Sequence, residues 1–302
     1  VNMLPYIFVL IAGILWGTTG TLQTFLQDGI SPIAIAGVRS SIGGGVLLLV
    51  VLLMKKINFR NWSWKWTLLA AITIALFQSF FFTSIRFTGV AVGTVVTIGS
   101  SPVFAGLVEW LLWKRKPTRI WGAATTLAII GCILLFVNKG EATVNLTGVL
   151  LGLCAGVMFA FYTNCSKQLT EKEDTLPAVA MTFSLCALLL LPFSQDGISW
   201  VFSSQNSWPM ILMGLGATSL AYVLFLAGLG KISSSSAVTL SLAEPLTAAL
   251  LGVFLVGEYL SLTSWVGIML LLGGIIVLTM GSRKSTNETV QLETNNEEIK
   301  TT

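Results

Sequence analysis

Ten times along this chain an apolar run of about twenty residues recurs, long enough to cross roughly 30 Å of hydrocarbon at about 1.5 Å per residue. The runs fall near residues 5–26, 31–54, 67–86, 89–112, 118–137, 146–167, 175–193, 208–229, 235–256 and 262–281. Hydrophobic residues make up 54% of the 302 and charged residues only 10%. No soluble core absorbs that much apolar surface, so the chain reads as an all-α integral membrane protein with the lipid bilayer as its solvent. The first run has neither a basic leader nor a small-residue cleavage site and is expected to be a retained span.

Lys and Arg orient the spans, because basic residues near span ends stay on the cytoplasmic side. Alternate connections carry Lys55, Lys56, Arg60 and Lys65, then Lys114, Arg115, Lys116 and Arg119, then Lys167 and Lys172, then Lys231, with Arg283, Lys284 and Lys300 after the last span. Fourteen of the seventeen basic residues therefore share one side, against Arg86 and Lys139 on the other and Arg39 inside a span. Both termini are expected in the cytoplasm, which an even number of spans requires. A net charge of +4 distributed this way gives no reason to expect a nucleic-acid partner. Cys132, Cys154, Cys165 and Cys186 lie within spans without metal-ligand spacing, and nothing calls for a metal or cofactor. Residues 284–302 are polar without an apolar face and are expected to form a disordered cytoplasmic tail.

The second half repeats the first at a shift of 143 residues. Gly13 meets Gly156, Ser41 meets Ser184, Phe82 meets Phe225, Pro102 meets Pro245 and Gly131 meets Gly274. Five spans per half is an odd number, so the halves enter the membrane in opposite senses. The expected architecture is ten transmembrane helices as two inverted five-helix repeats, residues 1–140 and 141–283, around a central cavity. Inverted repeats of this kind mark transporters.

Four segments carry a family resemblance: "ILWGTTG", "AGVRSSIGGGVLLL", "TIGSSPVFAGLVEWLL" and "LSLAEPLTAALLGVFLVGEYLS". In these the chain resembles the drug/metabolite transporter superfamily and, within it, the EamA family. The resemblance implies inverted five-helix halves around a cavity and small organic substrates such as amino acids or amines. One departure stands out. Family members often close the fourth span with an acidic residue, where this chain has "WKRKP", so no family role is carried onto the earlier Glu109. Glu109 is expected to form a surface ion pair near Lys114 and Arg115.

Ionisable groups at membrane depth are costly and call for a partner or a task. Arg39 is placed roughly 12 Å from one face and Glu244 roughly 14 Å from the other, about 5 Å apart in height. They are expected either to pair across the bundle or to face the cavity and meet a substrate's charges. Glu244 is also a candidate carrier of a coupling proton. Pro245 and Pro102 lack an N–H and leave the carbonyls of Ser241 and Ile98 without their helical partners. Such helix breaks either line a binding site or are plain kinks. Nine of the ten tryptophans fall at span ends, whereas Trp16 lies mid-span with an indole N–H that needs an acceptor.

The expected substrate-binding set is Trp16, Arg39, Gln78, Ser101, Tyr162, Tyr222, Ser241 and Glu244. Ordinary helix packing is the competing account of the polar members. Gly13 with Gly17, and Gly148 with Gly152 and Gly156, are read as internal packing seams. An intramembrane enzyme lacks its parts: the chain has no His, and Asp28, Asp174 and Asp196 all lie in connections. A channel would need a ring of like charges or a carbonyl filter, usually assembled by oligomerisation, and two unlike, unduplicated charges in an inverted repeat fit that badly. A mixed Arg39 and Glu244 environment favours a zwitterion such as an amino acid. The aromatic companions would also suit a cationic drug or amine.

Overall fold

A computed structural model of the chain describes residues 3–57, 59–136, 145–193, 198–256, 259 and 261–280, the side chains of residues 89–91 and 256 excepted. Glu258, Lys139 and the expected tail lie outside the described residues.

The described residues form ten apolar helices: α1 Leu4–Gln23, α2 Pro32–Leu53, α3 Trp64–Thr88, α4 Val92–Trp113, α5 Arg119–Leu135, α6 Leu146–Thr170, α7 Thr175–Phe193, α8 Ser204–Leu229, α9 Ser234–Leu255 and α10 Leu262–Met280. All but α5 have at least 18 residues. Local chemistry sets many boundaries. Pro5 and Pro32 stand in the first turns of α1 and α2, where the missing N–H costs nothing. Asn145 opens α6 by accepting from the amides of Thr147 at 2.9 Å and Gly148 at 3.3 Å. Lys114 ends α4 in the left-handed conformation, with φ of 57°. Helical hydrogen bonding runs from Trp64 to Trp113 without a gap, yet this stretch is two spans. A Cβ on Gly93 would lie 3.1 Å from the Cα of Ile85, which eight residues of straight helix would hold about 12 Å away. The chain therefore reverses between α3 and α4.

Glycine seams hold the helices together, and their contacts obey the 143-residue shift. A Cβ on Gly131 would sit 2.6 Å from the Leu271 amide and 2.7 Å from the Gly267 carbonyl; one on Gly274 would sit 3.0 Å from the Ala128 amide and 2.7 Å from the Ala124 carbonyl. Adding 143 turns 124, 128 and 131 into 267, 271 and 274, so α5 and α10 cross in a self-reciprocal contact. Gly13 of α1 meets Ala243 of α9, and Gly156 of α6 meets Ser100 of α4, again in matching register. The glycines read as seams, Gly13, Gly17, Gly148, Gly152 and Gly156, all press against other helices of the same chain. Gly43 and Gly44 bring α2 against the Gly214 carbonyl of α8 and the Ser184 amide of α7 at would-be Cβ distances of 2.6 and 2.5 Å, while Gly45 faces outward.

The repeat also places a clasp at each end of the bundle. At one end the Gln27 amide, in the α1–α2 connection, donates to Asn206 Oδ1 of α8 at 2.9 Å. At the other, the Ser63 amide before α3 donates to Glu173 Oε1, in the α6–α7 connection, at 2.8 Å. The second clasp lies at the end rich in Lys and Arg, called the basic end below. Large side chains such as Leu188 at 66% exposure and Phe254 at 75% line the outside, the surface a bilayer covers.

Candidate functional site

The interior at mid-depth is built by seven helices, α1, α2, α3, α6, α7, α8 and α9. Trp16 of α1 sits among Tyr222 and Phe225 of α8 and Phe159 of α6, with ring centroids 4.7, 5.1 and 6.2 Å away. Tyr162 of α6 meets Tyr222 edge-on at 5.8 Å, and Phe183 of α7 lies 4.3 Å from Tyr222. These rings are buried, and offset or edge-on pairs of this kind each contribute about 0.5–1.5 kcal/mol beyond their area. Two donors in this packing have no hydrogen-bond partner among the described residues, Trp16 Nε1 and the Tyr162 hydroxyl. A buried donor left unsatisfied costs about 1–3 kcal/mol. The hydroxyl of Thr182, the residue that the repeat register places opposite Arg39, is likewise buried and unpartnered.

The close approach of Gly43 and Gly44 fixes α2, and one turn earlier Arg39 projects inward. Its Nη2 donates to Gln78 Oε1 of α3 at 3.0 Å. The Gln78 amide in turn donates to Cys186 Sγ of α7 at 3.3 Å, so Gln78 cannot swing away without breaking two contacts. Glu244 interacts with Arg39 through space but shares no ion-pair contact with it. Its carboxylate has no hydrogen-bond partner among the described residues. Both side chains are half-buried. The two alternatives left open by the sequence thus resolve away from a direct Arg39–Glu244 bridge.

Helix α9 is interrupted, and the place and repair of the break differ from expectation. Regular helix runs Ser234–Leu240 and resumes as Ala243–Leu251, so the irregular turn precedes Pro245 by three residues. The Ser241 carbonyl is not left open for a ligand: the Glu244 amide donates to it at 2.9 Å. A tight turn repairs what the proline removes, and it leaves Glu244 in the first turn of the second half-helix, where a negative charge is favoured. Pro102 leaves α4 unbroken. The hydroxyls of Ser101 and Ser241 donate back to the carbonyls of Thr97 at 2.6 Å and Val238 at 2.8 Å.

Glu109 is a correction. It is 4% exposed, and its Oε2 accepts the Ser235 amide at the start of α9 at 3.1 Å. The approach of α9 removes it from the surface, so it caps a helix and forms no surface ion pair. Lys167 of α6 converges on the same connection, its Nζ donating to the carbonyls of Ile232 and, at 3.4 Å, Leu229. A cavity of about 410 Å³ opens beside them at the basic end. Phe159, Phe183 and Phe225 complete the aromatic cluster without any sequence signal to separate them from the other phenylalanines.

Nine membrane-length helices and a shorter tenth among the described residues, repeating in sequence and closing around a few polar and charged side chains, define a multi-pass membrane transporter. The chain belongs to the EamA-like transporter family, whose model matches residues 3–137 and again 146–280. It is 44% identical to the uncharacterized transporter YwfM of Bacillus subtilis over 92% of this chain and 94% of that one. It is 27% identical to the uncharacterized inner membrane transporter YicL of Salmonella typhimurium, over 91% and 95%. Protein PecM of Dickeya dadantii is 25% identical over 90% and 91%. A crystal structure at 18% identity superposes with a TM-score of 0.80, covering 93% of this chain and 98% of that one, and shares the fold.

Proposed function

We propose that the protein is an alternating-access secondary transporter of small zwitterionic metabolites, amino acids or close relatives. It would sit in the cytoplasmic membrane with both termini inside and residues 1–140 and 141–283 as its two moving halves. One observation carries this reading: Arg39 and Glu244 lie in electrostatic reach of each other at mid-depth without bonding, Arg39 held by the neutral Gln78. A zwitterion supplies both missing counter-charges at once, its carboxylate to Arg39 and its ammonium to Glu244. The unpartnered indole N–H of Trp16 adds a site for a substrate's acceptor.

A second reading, export of amines or cationic drugs, draws on the rings of Trp16, Phe159, Tyr222 and Phe225, which suit a cation or an apolar body. A thermal-shift screen of the purified protein against amino acids, amines, organic acids and cationic drugs separates the two, repeated with Arg39→Ala and Glu244→Gln. Stabilisation by amino acids that disappears in both variants, whose unliganded melting stays near wild type, supports the zwitterion reading. Stabilisation by amines that needs Glu244 but not Arg39 supports the second. Ligand shifts that survive both substitutions mean that neither charge reads the substrate.

A further inference from the structure

The cavity at the basic end plays no part in the mid-depth site. It opens between the starts of α1, α5 and α9 and the ends of α4, α6 and α8, and its walls include Arg115, Lys116, Lys167 and Lys231 against one carboxylate, Glu109. That carboxylate already receives the Ser235 amide. The Nζ of Lys167, a side chain 9% exposed, donates only to the backbone carbonyls of Leu229 and Ile232, neither of which carries a charge. Arg115, Lys116 and Lys231 are exposed, and their side chains make no hydrogen bond to the described residues. Trp121 stands on the same wall, its indole N–H buried without an acceptor among the described residues. Topology accounts for basic residues at this end of the molecule. It does not account for four of them, from two connections and a helix end, around one recess.

We infer that this cavity is an anion site, separate from the mid-depth site, that takes a phosphate or carboxylate group through Arg115, Lys116 and Lys231. Two sources offer that chemistry, the headgroup of an anionic lipid in the adjoining leaflet and a soluble organic or inorganic anion. A group bound there lies against the α8–α9 connection that Glu109 and Lys167 hold. Occupancy therefore stabilises the arrangement of that connection seen here. The inference does not depend on the identity of the transported substrate.

The test uses the full chain in phosphatidylcholine nanodiscs titrated with inorganic phosphate, beside nanodiscs in which phosphatidylglycerol replaces part of the lipid. Melting is read for wild type, for Lys116→Gln/Lys231→Gln and for Arg39→Ala. Phosphate is expected to raise wild-type melting, with its half-saturating concentration increased at least about tenfold in the double variant and unchanged in Arg39→Ala. A rise caused by phosphatidylglycerol and lost in the double variant assigns the site to a lipid headgroup. A rise caused by phosphate in phosphatidylcholine assigns it to a free anion. The inference is overturned if neither anion changes melting, if wild type and double variant respond alike, or if Arg39→Ala abolishes the response.

Discussion

Gln78 Oε1 stands 3.0 Å from Arg39 Nη2, and a neutral amide thus holds the guanidinium that a carboxylate would have neutralised. Gln78 is itself fixed by Cys186. The arrangement orients Arg39 while leaving its charge available, which a bridge to Glu244 would not.

Replacing Gln78 is therefore expected to act through Arg39. Gln78→Leu removes a hydrogen bond to a charged group, about 1.5–3 kcal/mol, and should raise the half-saturating substrate concentration about tenfold or more. Gln78→Glu should cost less in melting temperature yet suppress transport as strongly, because the new carboxylate cancels the Arg39 charge. Uptake into proteoliposomes beside melting of the same preparations checks both. Wild-type uptake by Gln78→Glu would contradict the role given to the free charge.

The crossing of α5 and α10 has no room for a side chain. Gly131→Leu, whose Cβ would meet the Leu271 amide at 2.6 Å, is expected to destabilise by about 1–3 kcal/mol or more. Gly45→Ala and Gly122→Ala meet nothing within 4 Å and should be neutral or stabilising by up to about 1 kcal/mol. Thermal melting in detergent ranks the three, and equal losses would remove the seam's special standing.

Glu109 caps the α9 amide at Ser235 from a buried position. Glu109→Ala leaves that amide without its acceptor and should cost about 1–3 kcal/mol. Glu109→Gln keeps an acceptor oxygen and should cost less. Hydrogen exchange of the Ser235 amide, faster in Glu109→Ala than in Glu109→Gln, localises the effect.

If Glu244 carries a coupling proton, a pH gradient imposed across proteoliposomes should drive uptake by wild type, and Glu244→Gln should retain exchange but lose the response. Flux indifferent to the gradient in both proteins removes proton coupling from the proposed mechanism.

The expected orientation is open to a chemical test. In a cysteine-free background, Lys116→Cys should react with an impermeant maleimide only in inside-out vesicles, and Asp28→Cys only in right-side-out vesicles. The opposite labelling would reverse the assignment made from Lys and Arg placement.

Hydropathy and charge made the spans legible because membrane solvation is indifferent to everything but length, polarity and the sign of the connections. The seventh run, read as 175–193, is the helix Thr175–Phe193. The repeat was legible through Gly13, Gly131 and Pro102 and their partners, since close helix crossings admit few residue types. What sequence could not say is which side of a helix faces in. Leu188 points outward at 66% exposure while Leu190, two residues on, is buried at 2%; lipid and protein interior accept the same side chain. The inward Phe159, Phe183 and Phe225 were hidden for that reason, whereas Trp16, Arg39 and Glu244 stood out because lipid does not accept them cheaply. Glu109 was misread because its surroundings come from α9, 126 residues further along the chain.

The clasps at the two ends differ in one respect: Glu173 carries a charge at a partly exposed position, whereas Asn206 is neutral and buried. Dissolved ions weaken the attraction between a wet carboxylate and an amide and leave a contact between neutral amides nearly untouched. Ionic strength is thus expected to act on this molecule as a one-sided control, loosening the clasp at the basic end while the opposite clasp keeps its grip.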